Sequence, residues 1–145
     1  MSRSATRVPA KDIYHDTVKN ALIKDGWTIT HDPLKLKWGK KDLFIDLGAE
    51  QLLAAQKQES KIAVEIKSFV GRSDVADLEN ALGQYVLYHD ILEEVSPERV
   101  LYLAIRDAIF QDLFEEPIGK LLLNKRRVKL IVFDPDKEEI LRWIA

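Results

Sequence analysis

The chain has 145 residues, 46% of them hydrophobic and 32% charged, a balance typical of one folded domain. The absence of cysteine excludes disulfides and thiolate metal sites, and the net charge of −2 provides no general attraction for nucleic acid or anionic membranes. No apolar run approaches the roughly 20 residues that span a bilayer, and the first residues lack a signal peptide core. We therefore expect a cytoplasmic protein without a membrane partner, in which oxygen or imidazole groups hold any metal.

The first half of the chain predicts a helix followed by a cluster of strands. Residues 1–9 are polar and basic, which predicts a flexible N-terminal arm ahead of a single domain over residues 10–145. Apolar positions at helical spacing predict a helix over residues 12–25, which Gly26 ends. Alternating patterns and turn residues predict strands over residues 27–31, 34–38 and 43–47, whereas residues 49–58 fit a short helix or a strand.

The second half alternates strands with helices. Residues 61–70 form an apolar run, which as a strand places Ile62, Val64 and Ile66 on one face and Ala63, Glu65 and Lys67 on the other. The elements predicted after it are a helix over residues 73–92, a strand over 100–105, short helices over 107–114 and 118–124, and strands over 128–133 and 140–144. This order predicts an α/β fold with a mixed sheet, parallel across the long helix and antiparallel across the turns.

Carboxylates near a lysine are the side chains best suited to chemistry. The chain has no Gly-x-Ser-x-Gly nucleophile motif and no glycine motif that binds phosphate. Asp46 and Glu65 each lie opposite the apolar face of their predicted strands, so we expect both carboxylates to converge beside Lys67. Two carboxylates share a site only with a proton or a cation. The alternative is that Glu65 and Lys67 merely form an ion pair.

A hard divalent cation suits this arrangement. Mg²⁺ prefers oxygen ligands and Mn²⁺ can replace it, so the predicted ligands are Asp46, Glu65 and the main-chain carbonyl of Ile66. Such an ion would acidify a water and polarise a phosphoryl group, while Lys67 would orient that water or stabilise charge on the phosphate. Two basic patches, residues 35–41 and 125–129, are compatible with phosphate contacts and are also typical of a solvated surface.

Asp46 together with Glu65-Ile66-Lys67 resembles the acidic residue and Glu-x-Lys of the PD-(D/E)xK nuclease superfamily. This resemblance implies a restriction-endonuclease-like mixed sheet flanked by helices. Gln84 and Tyr88 resemble the Gln-x-x-x-Tyr of its RecB-like branch, which implies that both support the metal site and DNA.

The superfamily motif leaves several positions open. Ile45 stands where the motif has proline, so Asp42 and Glu50 remain alternatives to Asp46. Asp12 or His15 matches the position where some members add another ligand, although both also fit the capped or wetter side of the first helix. Lys40 and Lys41, in the first basic patch, are candidate DNA contacts.

Four segments, residues 45–50, 62–69, 83–85 and 101–104, are together similar to the XisH family, the fdxN-element excision controlling factors of cyanobacteria. This resemblance implies DNA, an XisI-like protein and a site-specific recombinase as partners. Two hypotheses follow: a Mg²⁺-dependent endodeoxyribonuclease that acts in programmed DNA excision, or a non-catalytic controlling factor that binds DNA or proteins through a nuclease fold. The apolar residues Ile109, Phe110, Leu113 and Phe114 predict either a homodimer seam or core packing.

Overall fold

The computed structural model describes residues 10–53 and 58–145, so the predicted N-terminal arm over residues 1–9 lies outside the described residues. The helices are α1 (His15–Lys24), α2 (Asp74–Val95), α3 (Asp107–Ile109, continued as a π-helical turn over Phe110–Phe114) and α4 (Pro117–Asn124). The strands are β1 (Thr28–His31), β2 (Leu34–Trp38), β3 (Lys41–Ile45), β4 (Leu47–Leu53), β5 (Gln58–Ile66), β6 (Arg99–Arg106), β7 (Leu130–Asp134) and β8 (Glu139–Ile144).

Six of these strands form one mixed sheet in the order β1-β4-β5-β6-β7-β8. Strand β5 pairs with β6 in parallel, as does β6 with β7, while the remaining neighbours are antiparallel. Strands β2 and β3 form a separate antiparallel hairpin. The predicted α/β class is confirmed, and so are the parallel pairing across α2 and the antiparallel pairing of the strands before it.

Helices cover both faces of the central strand β5. Ile62, Val64 and Ile66 are buried in one cluster with Val18 and Leu22 of α1. Ala63, on the opposite face, is buried in a second cluster that contains Leu78, Ala81 and Tyr85 of α2. The predicted alternation along β5 is therefore confirmed, and Glu65 lies on the face that α2 covers.

The strand predicted over residues 43–47 is divided in the structure. Strand β3 ends at Ile45, Asp46 forms a bend, and β4 begins at Leu47. The division follows from pairing, because β3 is hydrogen-bonded to β2 whereas β4 lies between β1 and β5. Of the two interpretations of residues 49–58, the strand is correct as far as Leu53 and again from Gln58.

The apolar residues of α3 belong to the core. Ile109, Phe110, Leu113 and Phe114 are all buried, so the prediction of a core role for them is confirmed and they do not form an exposed seam. Gly119 of α4 permits this packing, since an added Cβ would lie 2.3 Å from the carbonyl oxygen of Leu113. Among the described residues, no helix is long and apolar enough to cross a membrane.

Candidate metal centre

Asp46 and Glu65 meet where the bend after β3 crosses β5. The backbone N–H of Asp46 donates to Glu65 Oε1 at 3.3 Å, and the backbone N–H of Ile66 donates to Asp46 Oδ2 at 2.7 Å. Each carboxyl group therefore reaches the main chain beside the other. We refer to Asp46 and Glu65 as the carboxylate pair.

Burial dominates the electrostatics of the carboxylate pair. Glu65 is only 6% exposed, and burial raises its pKa to about 9, with the charge and hydrogen bond of Asp46 acting in the same direction. Burial likewise raises the pKa of Asp46, against the hydrogen bond from Ile66 and its contact with Glu65. The raised pKa of Glu65 favours a proton on that carboxyl group at neutral pH, and a cation could take the place of that proton.

The segment after β5 positions Lys67 beside this pair. The positive charge of Lys67 partly opposes the rise in the pKa of Glu65. The backbone N–H of Lys67 donates to the carbonyl of Ala104 in β6 at 3.2 Å. The next residue, Ser68, donates its N–H to Asp12 Oδ2 at 3.1 Å, and its carbonyl accepts from Arg106 Nη2 at 3.2 Å. The main chain that carries Lys67 is thus held from both sides.

Backbone strain follows immediately in this segment. Phe69 is buried and has a φ of 53°, in the left-handed region that bulky residues rarely adopt. A conformation of this kind costs on the order of 1 kcal/mol and persists only where the surroundings enforce it. The anchored Ser68 and the buried ring of Phe69 are what enforce it here.

Helix α2 presents Gln84 and Tyr88 on one flank, four residues apart and therefore one above the other. Burial raises the pKa of Tyr88 to about 12, and the charges of Glu65 and Asp46 contribute to the same shift, so its hydroxyl lies within electrostatic range of the carboxylate pair. The side-chain oxygen of Gln84 is buried and has no hydrogen-bond partner among the described residues. Tyr88 therefore joins the candidate site, and Gln84 contributes an unused acceptor on the same flank.

The start of α1 adds two further groups. Asp12 accepts hydrogen bonds from the N–H groups of Tyr14 and Ser68, so it stabilises the turn before α1 and links it to the segment after β5. The N-cap of α1 is Tyr14 and no side chain caps the helix, so the interpretation of Asp12 as a cap is wrong. His15 is 3% exposed, and its Nε2 lies 2.6 Å from Asp32 Oδ1. Both residues interact electrostatically with Asp46. The expectation that His15 occupies the wetter side of α1 is wrong.

Other candidates lie elsewhere. Glu50 forms an ion pair with Arg99 at 3.2 Å and faces Lys61 in the sheet register. Asp42 is on β3, with Oδ2 3.7 Å from Lys35 Nζ. Lys40 and Lys41 are exposed at the tip of the β2–β3 hairpin, about 17 Å along the strand from Asp46. The structure thus brings together Asp46, Glu65, Lys67 and Tyr88, with Gln84 on the same flank. It does not bring Lys40, Lys41, Asp42 or Glu50 to this site.

Two contributors were not recognised in the sequence as partners of this region. Asp32 reads as part of an Asp-Pro turn, and Arg106 as the end of a strand. Their contacts join residues separated by 17 positions for Asp32 and 38 for Arg106, so no local periodicity indicates them.

Fold and site define a class of protein, namely a mixed α/β domain in which a bend and the central strand hold a half-buried and a buried carboxyl group next to a lysine. The chain belongs to the XisH family, whose model, described as XisH protein, matches residues 8–141. The predicted family membership is thereby confirmed.

Two solved structures are similar to nearly the whole chain. One is an XisH family protein from Nostoc punctiforme, 38% identical with a TM-score of 0.83, for which the alignment covers 92% of this chain and 100% of that one. The other is an fdxN element excision controlling factor protein from Anabaena variabilis, 39% identical with a TM-score of 0.83, for which the coverage is 93% and 100%. No curated protein matches the chain.

Proposed function

We propose that this protein acts on DNA during programmed excision of a DNA element, as a Mg²⁺-dependent endodeoxyribonuclease with a restriction-endonuclease-like core. The observation that carries the proposal is the carboxylate pair, in which the buried Glu65 and the half-buried Asp46 are in contact beside a lysine. Support for the excision context comes from the similar Anabaena protein, whose name is fdxN element excision controlling factor.

The residues present fit a divalent cation. Buried carboxylates repel each other unless a proton or cation intervenes, and Mg²⁺ prefers oxygen ligands such as Asp46, Glu65 and the main-chain carbonyl of Ile66. Mn²⁺ offers a substitute with similar ligand preferences. When bound, the ion would supply Lewis-acid polarisation of the scissile phosphate and a more acidic water.

The remaining side chains would orient DNA and stabilise charge. The ammonium group of Lys67 would stabilise the negative charge that develops on the phosphate. Tyr88 and Gln84 of α2 would hold the reacting groups through their hydroxyl and amide. Lys40 and Lys41 would contact phosphates farther along the duplex, on the exposed hairpin whose base adjoins Asp46.

The experiment is a cleavage assay on supercoiled and branched DNA in Mg²⁺ or Mn²⁺, with Glu65→Ala and Lys67→Ala beside the wild type. We expect metal-dependent cutting that falls at least about 100-fold in both variants, because each removes a group at the reacting phosphate. Glu79→Ala, which removes an exposed acid on α2, is the matched control and should cut like the wild type. Equal cutting by all proteins would indicate a contaminant and overturn the proposal.

A second candidate function is that of a non-catalytic controlling factor that binds DNA, an XisI-like protein or a recombinase. The net charge of −2 favours it, as do the backbone N–H groups of Asp46 and Ile66, which donate to one oxygen of each acid without a cation. Sizing the protein with each partner distinguishes the two functions. A stable complex that survives Glu65→Ala and Lys67→Ala, with no cutting by the wild type, would favour this candidate.

A further inference from the structure

A second charged region lies on the other flank of α2. A surface cavity of about 240 Å³ opens between α2 and the turn that leads into β7, and its lining includes Tyr85, His89, Arg126, Arg127 and Lys129. We refer to it as the basic cavity. It includes none of the residues assigned to the candidate metal centre.

The walls of the basic cavity are held by buried contacts. The hydroxyl of Tyr85 donates to the carbonyl of Leu101 at 3.0 Å and accepts from the N–H of Lys129 at 3.1 Å, which ties α2 to β6 and to the turn before β7. The ring of His89 stacks on Tyr85 with centroids 6.2 Å apart. Because Tyr85 is only 4% exposed, this framework is part of the core and keeps the cavity open.

The cations of the basic cavity are not neutralised by neighbours. None of the ion pairs among the described residues involves Arg126, Arg127 or Lys129. Asp90 is the acid in the lining, so three positive groups against one negative leave a local charge of +2 in a chain whose net charge is −2. Concentrated positive charge in a concave site attracts anions.

The backbone at Arg126 adds a second observation. Helix α4 ends with Arg126 in the left-handed region, φ 55°, where its N–H donates to Leu123 and the next N–H donates to Leu122. Glycine is the residue that helix ends of this type normally carry. An arginine here makes the turn less stable than glycine would, yet it places a guanidinium at the rim of the cavity.

From these contacts we propose that the basic cavity binds a phosphate group, held by Arg126, Arg127 and Lys129. Guanidinium groups bind phosphate oxygens with paired hydrogen bonds, and the exposed opening admits either a nucleic-acid backbone or a free phosphate ester. The site does not depend on the carboxylate pair or on a metal ion. It would give the protein a phosphate contact on the flank of α2 opposite Tyr88.

The test measures binding in EDTA with two probes, a short fluorescein-labelled DNA duplex and inorganic pyrophosphate. Arg127→Gln should weaken binding about tenfold, because it removes a charge-assisted contact. Lys125→Gln is the matched control, since it removes the same charge from the neighbouring exposed residue that does not line the cavity, and it should change binding by about twofold or less. Arg126→Gly should weaken binding while raising the melting temperature by about 3 °C.

The two probes distinguish the source of the phosphate. Loss of affinity for both indicates a nucleic-acid backbone, and loss for pyrophosphate alone indicates a free phosphate ester; either result supports the site. Equal binding of both probes by wild type, Arg127→Gln and Lys125→Gln overturns it. Binding is measured in EDTA, without the metal ion on which the nuclease proposal depends, so failure of the nuclease proposal would leave this result unaffected.

Discussion

The pKa of Asp32 and the pKa values of the carboxylate pair are shifted in opposite directions. Burial acts to raise the pKa of Asp32, but hydrogen bonds from Lys19 and His15 outweigh it and leave that pKa below its ordinary value. In the carboxylate pair, burial and the neighbouring acid instead raise the pKa of Glu65 to about 9. The difference lies in the partner, because Asp32 faces cationic or donating groups whereas Asp46 and Glu65 face each other.

This comparison indicates which cluster is complete. Lys19 Nζ lies 2.8 Å from Asp32 Oδ2 and His15 Nε2 lies 2.6 Å from Oδ1, so both oxygens of Asp32 have partners. The carboxylate pair accepts main-chain hydrogen bonds and has raised pKa values, and the charge of Lys67 opposes the rise at Glu65 only in part. Perturbed acids in mutual contact are common at functional sites, which is why the carboxylate pair, and not Asp32, carries the proposed metal site.

The largest effect is expected for Glu65→Gln, which removes one acid of the carboxylate pair and should change how the unfolding free energy depends on pH. In the metal-free protein the pKa of Glu65 is higher when folded than when unfolded, so the folded state binds the extra proton and stability falls as pH rises from about 5 to about 9. We expect the wild type to lose about 3 kcal/mol of unfolding free energy between pH 6 and pH 8. Glu65→Gln should lose much less over the same interval.

Denaturant unfolding in EDTA at several pH values measures this difference. Glu79→Gln makes the same chemical change at an exposed position of α2 and should follow the wild-type curve. Parallel curves for wild type and Glu65→Gln would show that the pair does not hold the proton.

A smaller effect, of opposite sign in pH, is expected at Asp32. Its folded pKa is lowered, so its contribution is present above the unfolded pKa and is lost as pH falls through the folded value. Asp32→Asn should cost about 1 kcal/mol at neutral pH, because the charge that pairs with Lys19 and His15 is lost. Thermal unfolding should show the gap closing below about pH 4, and a gap that widens in acid would contradict the assignment.

The comparison also shows how far the sequence could lead. Alternation along β5 predicts that Glu65 and Lys67 share a face, and the apolar stripe of α2 predicts the helix that covers it. The spacing of apolar residues is therefore enough to predict this part of the site. The sequence predicts that Asp46 lies near Glu65, but from a continuous strand over residues 43–47. In the structure Asp46 lies in a bend, which results from the pairing of β3 with β2.

What the sequence could not reveal depends on long-range contacts. His15 has the polarity of a surface residue, and its burial follows from Asp32, which is not on the same helix. Likewise, the sequence pattern of residues 125–129 is typical of a solvated surface. The contact that links this patch to α2 is made by Tyr85, 44 positions earlier than Lys129. Contacts of this kind arise from tertiary packing and carry no local pattern.

The smallest expected effect concerns the unused acceptor of Gln84. A buried carbonyl without a partner loses its water and gains no hydrogen bond, so Gln84→Met should leave the unfolding free energy unchanged or raise it by up to about 1 kcal/mol. If the amide serves the carboxylate pair only when a cation and DNA are bound, the same variant should lower Mg²⁺-dependent cutting about tenfold or more. Denaturant unfolding and the cleavage assay measure the two effects separately. A stability loss of several kcal/mol would instead show that Gln84 is a structural residue. The contrast between Asp32, whose oxygens both have partners, and the carboxylate pair would then give no reason to include Gln84 of α2 in the candidate site.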